Sequence, residues 1–552
     1  MSVFHSLRNS IRDLLADRAL VACGLLSLVI LAPAAGWGIP QATSEVTVRG
    51  WEVDAVSGIG VLAELSNLTG PGRSDWYVAY PLFHYLVLAV SYVPYLGFQV
   101  LTGGLSAPGP SYPYGFADPV RAFVVLNAIG HGISVVMGSV SIMAIFVLAR
   151  RIAGAKWALL AAAIALCSAP FMFYARTGNL DVPALCWMLL ALVVIERSWS
   201  DRLTRNRAIA CGTFSALAVA TKDQSYGLLI VPLVLLLVRS ARTSAPSLIA
   251  RLRLPSVLVL SGIVAFLIAG GIVVRPDRFV RHLDYITGFR ETFTNVRNPT
   301  ELTVMRPPTL AGRLTLLGDL LRAVGAAVGW PVVVTGLVGF AVLWRRVASI
   351  PLLAVAFLGY FLLVLVPIEH MQYRYALAPA VLLAVSAAAV TAIVSTRPLV
   401  MGALAVVLLG PAIAGGAELT HAMLTDARRP ASRWLGARAT PGDTLGFFGR
   451  PHQLPHIPAG VHAQALHDDG DARSRLLQLR PRWVIVAPDY FADPHRERSI
   501  FLPEDLYQDL RTGSSGWRPA MRFESRGLLG RPLPYFPYVN PTVQIYERRT
   551  DD

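Results

Sequence analysis

Charged residues are scarce in this sequence. Only 15% of the 552 residues are charged, whereas 54% are hydrophobic, and typical soluble domains carry about 25% charged residues. This deficit excludes a soluble enzyme of this length and predicts a polytopic membrane protein. Three apolar runs, at 255–274, 376–394 and 398–417, approach the roughly 20 residues that span a hydrocarbon core.

Two other patterns are missing from the sequence. The four cysteines lie in or beside apolar segments without metal-ligand spacing, so we expect them to pack as small hydrophobic residues. No basic run is interleaved with aromatic residues, so the net charge of +15 does not indicate nucleic-acid binding. The arginines are instead expected to mark the cytoplasmic side of a membrane, because translocating positive charge is costly.

The arginines near the N-terminus set the direction of the first crossing. Arg8, Arg12 and Arg18 precede an apolar run that has no convincing cleavage site. We therefore predict an uncleaved first helix, at about residues 19–36, that starts on the cytoplasmic side.

The segment after this helix presents a problem of parity. The next basic loop, at 150–156, should again be cytoplasmic, yet two apolar segments precede it, 79–101 and 119–149. Because Pro94 interrupts the first of them, we assign it to a juxtamembrane or re-entrant helix within a long outer loop, 37–118. The later basic loops then alternate without adjustment, which gives about eleven crossings and an outer C-terminus.

The C-terminal segment differs in kind from the rest of the chain. It is rich in proline and charge and contains no spanning run. Short β-type stretches alternate with a helical pattern, at 444–448, 471–479, 483–487 and 543–546. The sequence therefore predicts two domains, a transmembrane module at 1–426 and a small α/β domain at 427–552 on the outer face.

Ionisable residues mark all the short turns that this topology places outside. They are Glu52 and Asp54, Arg176 and Asp181, Lys222 and Asp223, and finally Glu369, His370 and Arg374. Basic residues on this side oppose the usual charge bias, so we expect the group to line one cavity between helix ends. A carboxylate there could deprotonate an acceptor hydroxyl while arginine or lysine neutralises a departing phosphate.

Simpler explanations exist for each residue. Glu52 and Asp54 are also consistent with solvated loop charges, and Asp181, which precedes Val-Pro, with a helix N-cap. Lys222 and Arg374 are consistent with pairing to the acids beside them in the sequence. Glu52 and Asp54 could bind a divalent ion with a pyrophosphate donor, but two acids alone specify no metal, so we assign no metal ligand and divalent-metal dependence stays open.

Five short motifs resemble a known superfamily. They are Trp51-Glu-Val-Asp54, Tyr80-Pro-Leu-Phe-His-Tyr85, Tyr174-Ala-Arg-Thr-Gly-Asn-Leu-Asp-Val-Pro183, Thr221-Lys-Asp-Gln224 and Tyr373-Arg-Tyr375. Their order resembles the membrane glycosyltransferases of the GT-C superfamily, particularly the branch containing protein O-mannosyltransferases and lipid A aminoarabinose transferases. The likeness extends over most of the chain.

The resemblance implies an α-helical polytopic GT-C fold and an inverting transfer from a polyprenyl-phosphate sugar to a lipid, glycan or protein acceptor. Asp54 matches the general base and Asp181 the acid of the second loop. Family members often show an Asp-Glu pair, whereas Asp54 precedes Ala55, which leaves Glu52 as the second carboxylate. Donor phosphate is assigned to Arg176, Lys222 and Arg374, and other substrate contacts to His84, Tyr85, Gln224, His370 and Tyr373.

The implied location is a bacterial cytoplasmic membrane, with the active site outside the cytoplasm and with membrane lipids but no nucleic acid as partners. Two alternatives use the same residues. A lipid-linked-sugar flippase would need ionisable groups near the bilayer midplane or an internal repeat. A polymerase or ligase would instead use a pyrophosphate-linked oligosaccharide and a larger acceptor groove.

Overall fold

The structure is a computed structural model. It describes residues 17–69, 80–109, 111–243, 247–295, 305–394, 397–467, 471–488, 497–529, 536 and 538–549. Parts of the expected outer loop, 70–79 and 110, lie outside the described residues.

Helices dominate the first 424 residues. In chain order they are α1 (Arg18–Leu31), α2 (Gly58–Thr69), α3 (Phe83–Leu101), α4 (Pro119–Ala153), α5 (Ala155–Cys167), α6 (Ala169–Arg176), α7 (Asp181–Ser200), α8 (Arg205–Thr221), α9 (Ser225–Thr243), α10 (Leu248–Ala269), α11 (Pro276–Asn295), α12 (Leu310–Val328), α13 (Trp330–Val342), α14 (Ile350–Tyr360), α15 (Val366–Ile368), α16 (Leu377–Val394) and α17 (Pro398–Leu424). A π-helical turn, Phe361–Leu365, joins α14 to α15, and a 3₁₀ turn, Tyr373–Ala376, precedes α16.

The number of membrane crossings differs from the expectation. Among the described residues, eight helices are long and apolar enough to cross a membrane, or nine if α5 and α6, which meet at 64°, form one span. The apolar helices α1 and α13 are shorter than the others. The chain is thus an integral membrane protein of the expected helical class, but the count of eleven is not confirmed.

Helix α3 occupies the segment at 79–101 that we assigned to a juxtamembrane or re-entrant helix. The helix continues through Pro94, and by length and composition it can cross a membrane. Val90, Val93 and Phe98 expose most of their side chains, as expected for a helix that meets lipid. Pro94 therefore does not break this helix, and the assignment of 79–101 to a juxtamembrane or re-entrant helix stays a prediction.

Local sequence explains where the helices near the site begin and end. Pro119 occupies the first turn of α4, and Asp118 caps it by accepting a hydrogen bond from the Arg121 amide.

Helices α8 and α10 pack closely because Gly212 has no side chain. A Cβ atom there would lie 2.2 Å from the Leu258 carbonyl oxygen.

The C-terminal segment folds into a small mixed α/β layer. Its elements are α18 (Arg428–Gly436), β1 (Thr444–Phe448), β2 (His462–Ala465), α19 (Ala472–Leu479), β3 (Trp483–Val486), α20 (Glu504–Thr512), β4 (Trp517–Phe523) and β5 (Val543–Arg548). The sheet order is β2-β1-β3-β5-β4, with β2-β1-β3 parallel and both pairings of β5 antiparallel. The expected strands and the helix α19 are confirmed, whereas β2, β4, α18 and α20 were not predicted.

Helix α7 separates the candidate site from the basic loop at 150–156. Asp181 is its first residue, and Glu196 lies about 22 Å further along at 1.5 Å per residue. At that end Glu196 is buried and pairs with Arg151 at 2.5 Å. The basic loop at 150–156 therefore lies near the end of α7 that is far from the candidate site.

Candidate active site

The loop that carries Asp54 and the turn before α7 are joined by backbone contacts. Ala55 forms an antiparallel bridge with Asn179, and the Val56 amide donates to the Gly178 carbonyl at 3.1 Å. The loop that carries Asp54 is thus fixed against the turn that leads into α7 and Asp181.

Asp54 forms an ion pair with an arginine 320 residues later in the chain. Arg374 Nη1 lies 2.6 Å from Asp54 Oδ2, and the Asp54 side chain remains 40% exposed. Glu369, the acid that we considered as a local partner of Arg374, pairs with Arg313 at 2.9 Å instead. Arg374 and Asp54 therefore meet through the fold and not through local sequence.

Lys222 and Asp181 form a second ion pair. Lys222 Nζ lies 2.5 Å from Asp181 Oδ1, and both side chains are buried. Asp223, the alternative partner beside Lys222, faces His282 at 3.1 Å. Asp181 is the first residue of α7 and not its N-cap, which is Leu180 and makes no side-chain cap. The local explanations for Lys222, Arg374 and Asp181 are wrong in this structure.

Glu52 lies in the same loop but in a different state. Its side chain is buried, and Oε1 accepts a hydrogen bond from the Asp54 amide at 3.3 Å. Burial raises the pKa of Glu52 to about 8, and the Asp54 charge adds to this increase. At neutral pH Glu52 is therefore a protonated carboxyl, which cannot accept a proton.

Two cavities adjoin these pairs. The larger one, of about 180 Å³, is lined by Glu52, Asp54, Tyr80 and Tyr85 among others. The smaller one, of about 20 Å³, lies between Asp181, Lys222, Gln224, Tyr360 and Arg374. The ion pair of Asp54 and Arg374 thus has one partner in the lining of each cavity.

Several polar atoms around the smaller cavity are unsatisfied. Within the described residues, Asp181 Oδ2, Gln224 Oε1 and Arg374 Nε are buried without a hydrogen-bond partner. Buried polar groups are nearly always paired, so such a concentration favours a ligand site. Its volume holds about one water molecule, so a phosphate group can enter only if side chains around it move.

Only some of the other residues that we predicted to contact substrate line one of the two cavities. Tyr85 lines the larger cavity and Gln224 the smaller one. Tyr373 packs its ring 5.1 Å from that of Phe536, and the Nδ1 atom of His370 lies 3.0 Å from the Ile368 carbonyl. His84 is fully buried at the start of α3 and lines neither cavity.

Arg176 is not brought to either cavity. Its guanidinium is fully buried and donates to the carbonyl oxygens of Ile30 and Leu31 at 2.7 and 3.1 Å, and to Thr420 Oγ1 at 2.8 Å. The last carbonyls of a helix lack partners within it, so Arg176 caps the end of α1 and ties it to α17. This environment gives no support to the expected contact with donor phosphate.

Two tyrosines of the site were not predicted from the sequence. Tyr360 lines the smaller cavity, and Tyr80 lines the larger one. Burial, reinforced by the charge of Asp54, raises the pKa of Tyr80 well above its usual value, so its hydroxyl stays protonated. Tyr80 belongs to a motif that we noted, but Tyr360 lies within an apolar run that gave no signal.

A metal site is not evident in the described part of the chain. No group of three or more His, Cys, Asp or Glu side chains there could hold an ion. Asp54 and Asp181 each contact a basic side chain. These carboxylates lack the arrangement of several converging oxygen ligands that Mg²⁺ or Ca²⁺ prefers.

Comparison with known proteins identifies a family for one quarter of the chain. Residues 130–269 match the family described as dolichyl-phosphate-mannose-protein mannosyltransferase. The resemblance predicted from the motifs is confirmed. The matched segment includes Asp181 and Lys222 but neither Asp54 nor Arg374.

Other comparisons are more distant. No curated protein sequence matches the chain. ArnT from Cupriavidus metallidurans bound to undecaprenyl phosphate is 13% identical, with a TM-score of 0.49 and coverage of 95% of this chain and 97% of that one. Archaeal oligosaccharyltransferase AglB from Archaeoglobus fulgidus, in complex with an inhibitory peptide and a dolichol-phosphate, is 12% identical, with a TM-score of 0.44 and coverage of 97% and 89%. With TM-scores below 0.5, neither likeness bears on function.

Proposed function

We propose that this protein is a membrane glycosyltransferase. It transfers one sugar from a polyprenyl-phosphate donor to a hydroxyl of a lipid, glycan or protein acceptor, with inversion at the anomeric carbon. Asp54 is the general base, and Arg374 and Lys222 bind the donor phosphate. The reaction takes place on the face away from the cytoplasm.

One observation carries this proposal. Four residues spread over 320 positions, Asp54, Asp181, Lys222 and Arg374, form two adjacent ion pairs at one end of the helical module. Ion pairs at a membrane rim can be purely structural, but these border two cavities and leave polar atoms unsatisfied. The family match of residues 130–269 supports the same reaction class.

The two cavities suit the two substrates differently. The larger one contains the partly exposed carboxylate of Asp54 and two tyrosines. It is smaller than sites for drug-sized ligands, which suits a single sugar and the acceptor hydroxyl. Arg374 reaches Asp54 from the other cavity, so it can turn from the carboxylate to a phosphate oxygen. Lys222 supplies a second positive charge behind it.

Asp54 is better suited to the role of base than the other two carboxyls. Glu52 is protonated at neutral pH, and Asp181 is buried against Lys222. Asp54 alone among the three is both ion-paired and substantially exposed. A positioned base accepts the proton of the attacking hydroxyl and typically contributes 10²–10⁴-fold, roughly, to the rate.

The test measures release of polyprenyl phosphate by the purified full-length protein. Candidate polyprenyl-phosphate sugars are supplied with a mixture of acceptor lipids, with and without Mg²⁺. Asp54→Asn is expected to lower turnover about 100-fold or more while leaving the protein folded. Glu45→Gln is the matched control, because it also replaces a carboxylate by the corresponding amide, at an exposed residue of the same outer segment.

The outcomes separate the alternatives. Equal release by Asp54→Asn and wild type would remove Asp54 from the mechanism. Movement of the intact donor across a vesicle bilayer without release would indicate a flippase. Release that requires a pyrophosphate-linked oligosaccharide would indicate a polymerase or ligase.

A further inference from the structure

The C-terminal domain reaches the loop that carries Asp54 through one buried cluster. Its centre is Asp426, which accepts hydrogen bonds from the Trp37 indole at 2.9 Å and the Asn540 amide at 2.9 Å. Arg428 pairs with Asp426 at 2.7 Å, and both side chains are fully buried. The cluster joins Trp37, which lies six residues after the end of α1, to the start of α18 and the turn before β5.

Arg428 is held in a defined orientation. It donates to both oxygens of Asp426, to the His452 carbonyl at 2.6 Å and to the Tyr538 carbonyl at 2.7 Å. A planar guanidinium with this many fixed donors has a unique plane. That plane lies over Trp51, with the guanidinium carbon 3.9 Å from the ring centroid.

Trp51 receives contacts on more than one side. His456 of the C-terminal domain stacks on it at 5.0 Å, and Trp37 meets it edge-on at 5.8 Å. Its backbone amide donates to the Gly38 carbonyl at 3.0 Å. Trp51 is almost fully buried, although it lies in a loop three residues before Asp54.

The Asp54 loop is therefore attached at both of its ends. On the C-terminal side Ala55 bridges Asn179, and the Gly58 amide donates to Asn127 at 3.3 Å. On the N-terminal side the principal anchor is Trp51, and two of the four groups that hold it, Arg428 and His456, belong to the other domain. Without this anchor Asp54 would be fixed to α7 at one side only.

We infer that Arg428 is a positioning residue for catalysis, which holds Asp54 in place through Trp51. The inference rests on the proposed function of Asp54. It gives the C-terminal domain a part in the reaction although none of its described residues lines either cavity. Displacing a reacting group by about 1 Å can cost 10²-fold in rate, so this anchor acts on turnover and not on donor binding.

The experiment compares Arg428→Lys with Arg473→Lys in the full-length protein. Arg428→Lys keeps the charge but loses both the flat face over Trp51 and the planar set of donors to Asp426 and the two carbonyls. Arg473 belongs to the same domain but pairs with Asp505 and Asp509 at the surface. For Arg428→Lys we expect kcat to fall about 10- to 100-fold, with KM for the donor changed less than about twofold. Arg473→Lys is expected to match wild type.

Hydrogen exchange provides a measurement that does not depend on activity. In Arg428→Lys, a peptide spanning 49–57 should exchange faster while the strands β1 and β3 keep their protection. Trp51→Phe, which retains an aromatic face, should lose less activity than Trp51→Ala. A uniform loss of protection across the C-terminal domain would overturn the inference, as would an unchanged kcat per folded molecule.

Failure of the proposed function gives a different pattern. If Asp54→Asn were fully active while 49–57 still loosened in Arg428→Lys, the anchor would exist but the role of Asp54 would be wrong. If Asp54→Asn were inactive while Arg428→Lys left exchange and kcat unchanged, the anchor would be refuted and the role of Asp54 would stand.

Discussion

The ion pair of Lys222 and Asp181 offers a decisive test, because a structural pair and a phosphate-binding lysine respond differently to its removal. Both side chains are more than nine-tenths buried. Replacing Lys222 by methionine leaves the Asp181 charge without its partner, and breaking a buried pair in this way typically costs about 3–5 kcal/mol. Lys222→Met should therefore be markedly less stable than wild type.

The double variant Lys222→Met/Asp181→Asn removes both charges. Replacing a buried pair by neutral groups is often nearly neutral, so most of the stability lost in Lys222→Met should return. Asp181→Asn alone should be milder than Lys222→Met, because burial already lowers the pKa of Lys222 and the amine can lose its proton. The order of apparent melting temperatures in lipid nanodiscs checks these expectations.

Activity should not return with stability. If Lys222 neutralises the donor phosphate, the double variant stays at least about 100-fold below wild type per folded molecule, the usual cost of removing one electrostatic contact to a transition state. The assay is release of polyprenyl phosphate, normalised to folded protein. Recovery of both stability and turnover in the double variant would show that the pair is only structural, and it would remove Lys222 and Asp181 from the mechanism.

Two further predictions concern residues that the structure places away from the reacting groups or in a neutral state. Because the pKa of Glu52 is raised from 4.5 to about 8, its stabilising contribution is complete below about pH 4.5 and is lost as the pH rises through 8. Between pH 4.5 and pH 8, unfolding experiments should therefore show wild type losing stability relative to Glu52→Gln, by at most about 1.4 kcal/mol per pH unit. The absence of this trend would contradict the buried, protonated state of Glu52. Arg176→Lys should lower the melting temperature by weakening the cap on α1, with KM for the donor unchanged; a raised KM with normal stability would restore Arg176 to the phosphate site.

The sequence predicted that Asp54, Asp181, Lys222 and Arg374 lie together, but not how they pair. Asp54, Asp181, Lys222 and Arg374 all lie beside helix ends, and alternating basic loops place those ends on one side. The partners of Lys222 and Arg374 could not be deduced, because Asp223 and Glu369 are closer in sequence. These acids are occupied by His282 and Arg313. His282 lies in α11 and Arg313 in α12, and neither belongs to a motif that the sequence analysis used.

The contacts of two other arginines could not be deduced from the sequence, for the same physical reason. Arg176 lies in a turn full of site-like residues, and only the fold shows that its guanidinium reaches the last carbonyls of α1. Arg428 follows the last long helix in a proline-rich segment, where no periodicity indicates that it stacks on Trp51. Local pattern reports which side of a membrane a residue occupies. The direction of a long side chain depends on tertiary contacts that pattern does not contain.

The pairing of Asp54 with Arg374 also explains how charge could be balanced in the proposed reaction. The four paired side chains sum to zero because two carboxylates balance two cations, and the raised pKa of Glu52 keeps that carboxyl from adding a charge at neutral pH. The donor phosphodiester enters with one negative charge, and the departing polyprenyl phosphate gains a second when the bond to the sugar breaks. In the same step the acceptor hydroxyl gives its proton to Asp54, which becomes neutral. Arg374 thus loses a charged partner at the carboxylate as a new negative charge forms on the phosphate. The movement of the Arg374 guanidinium from the Asp54 carboxyl to the phosphate couples base catalysis to departure of the leaving group.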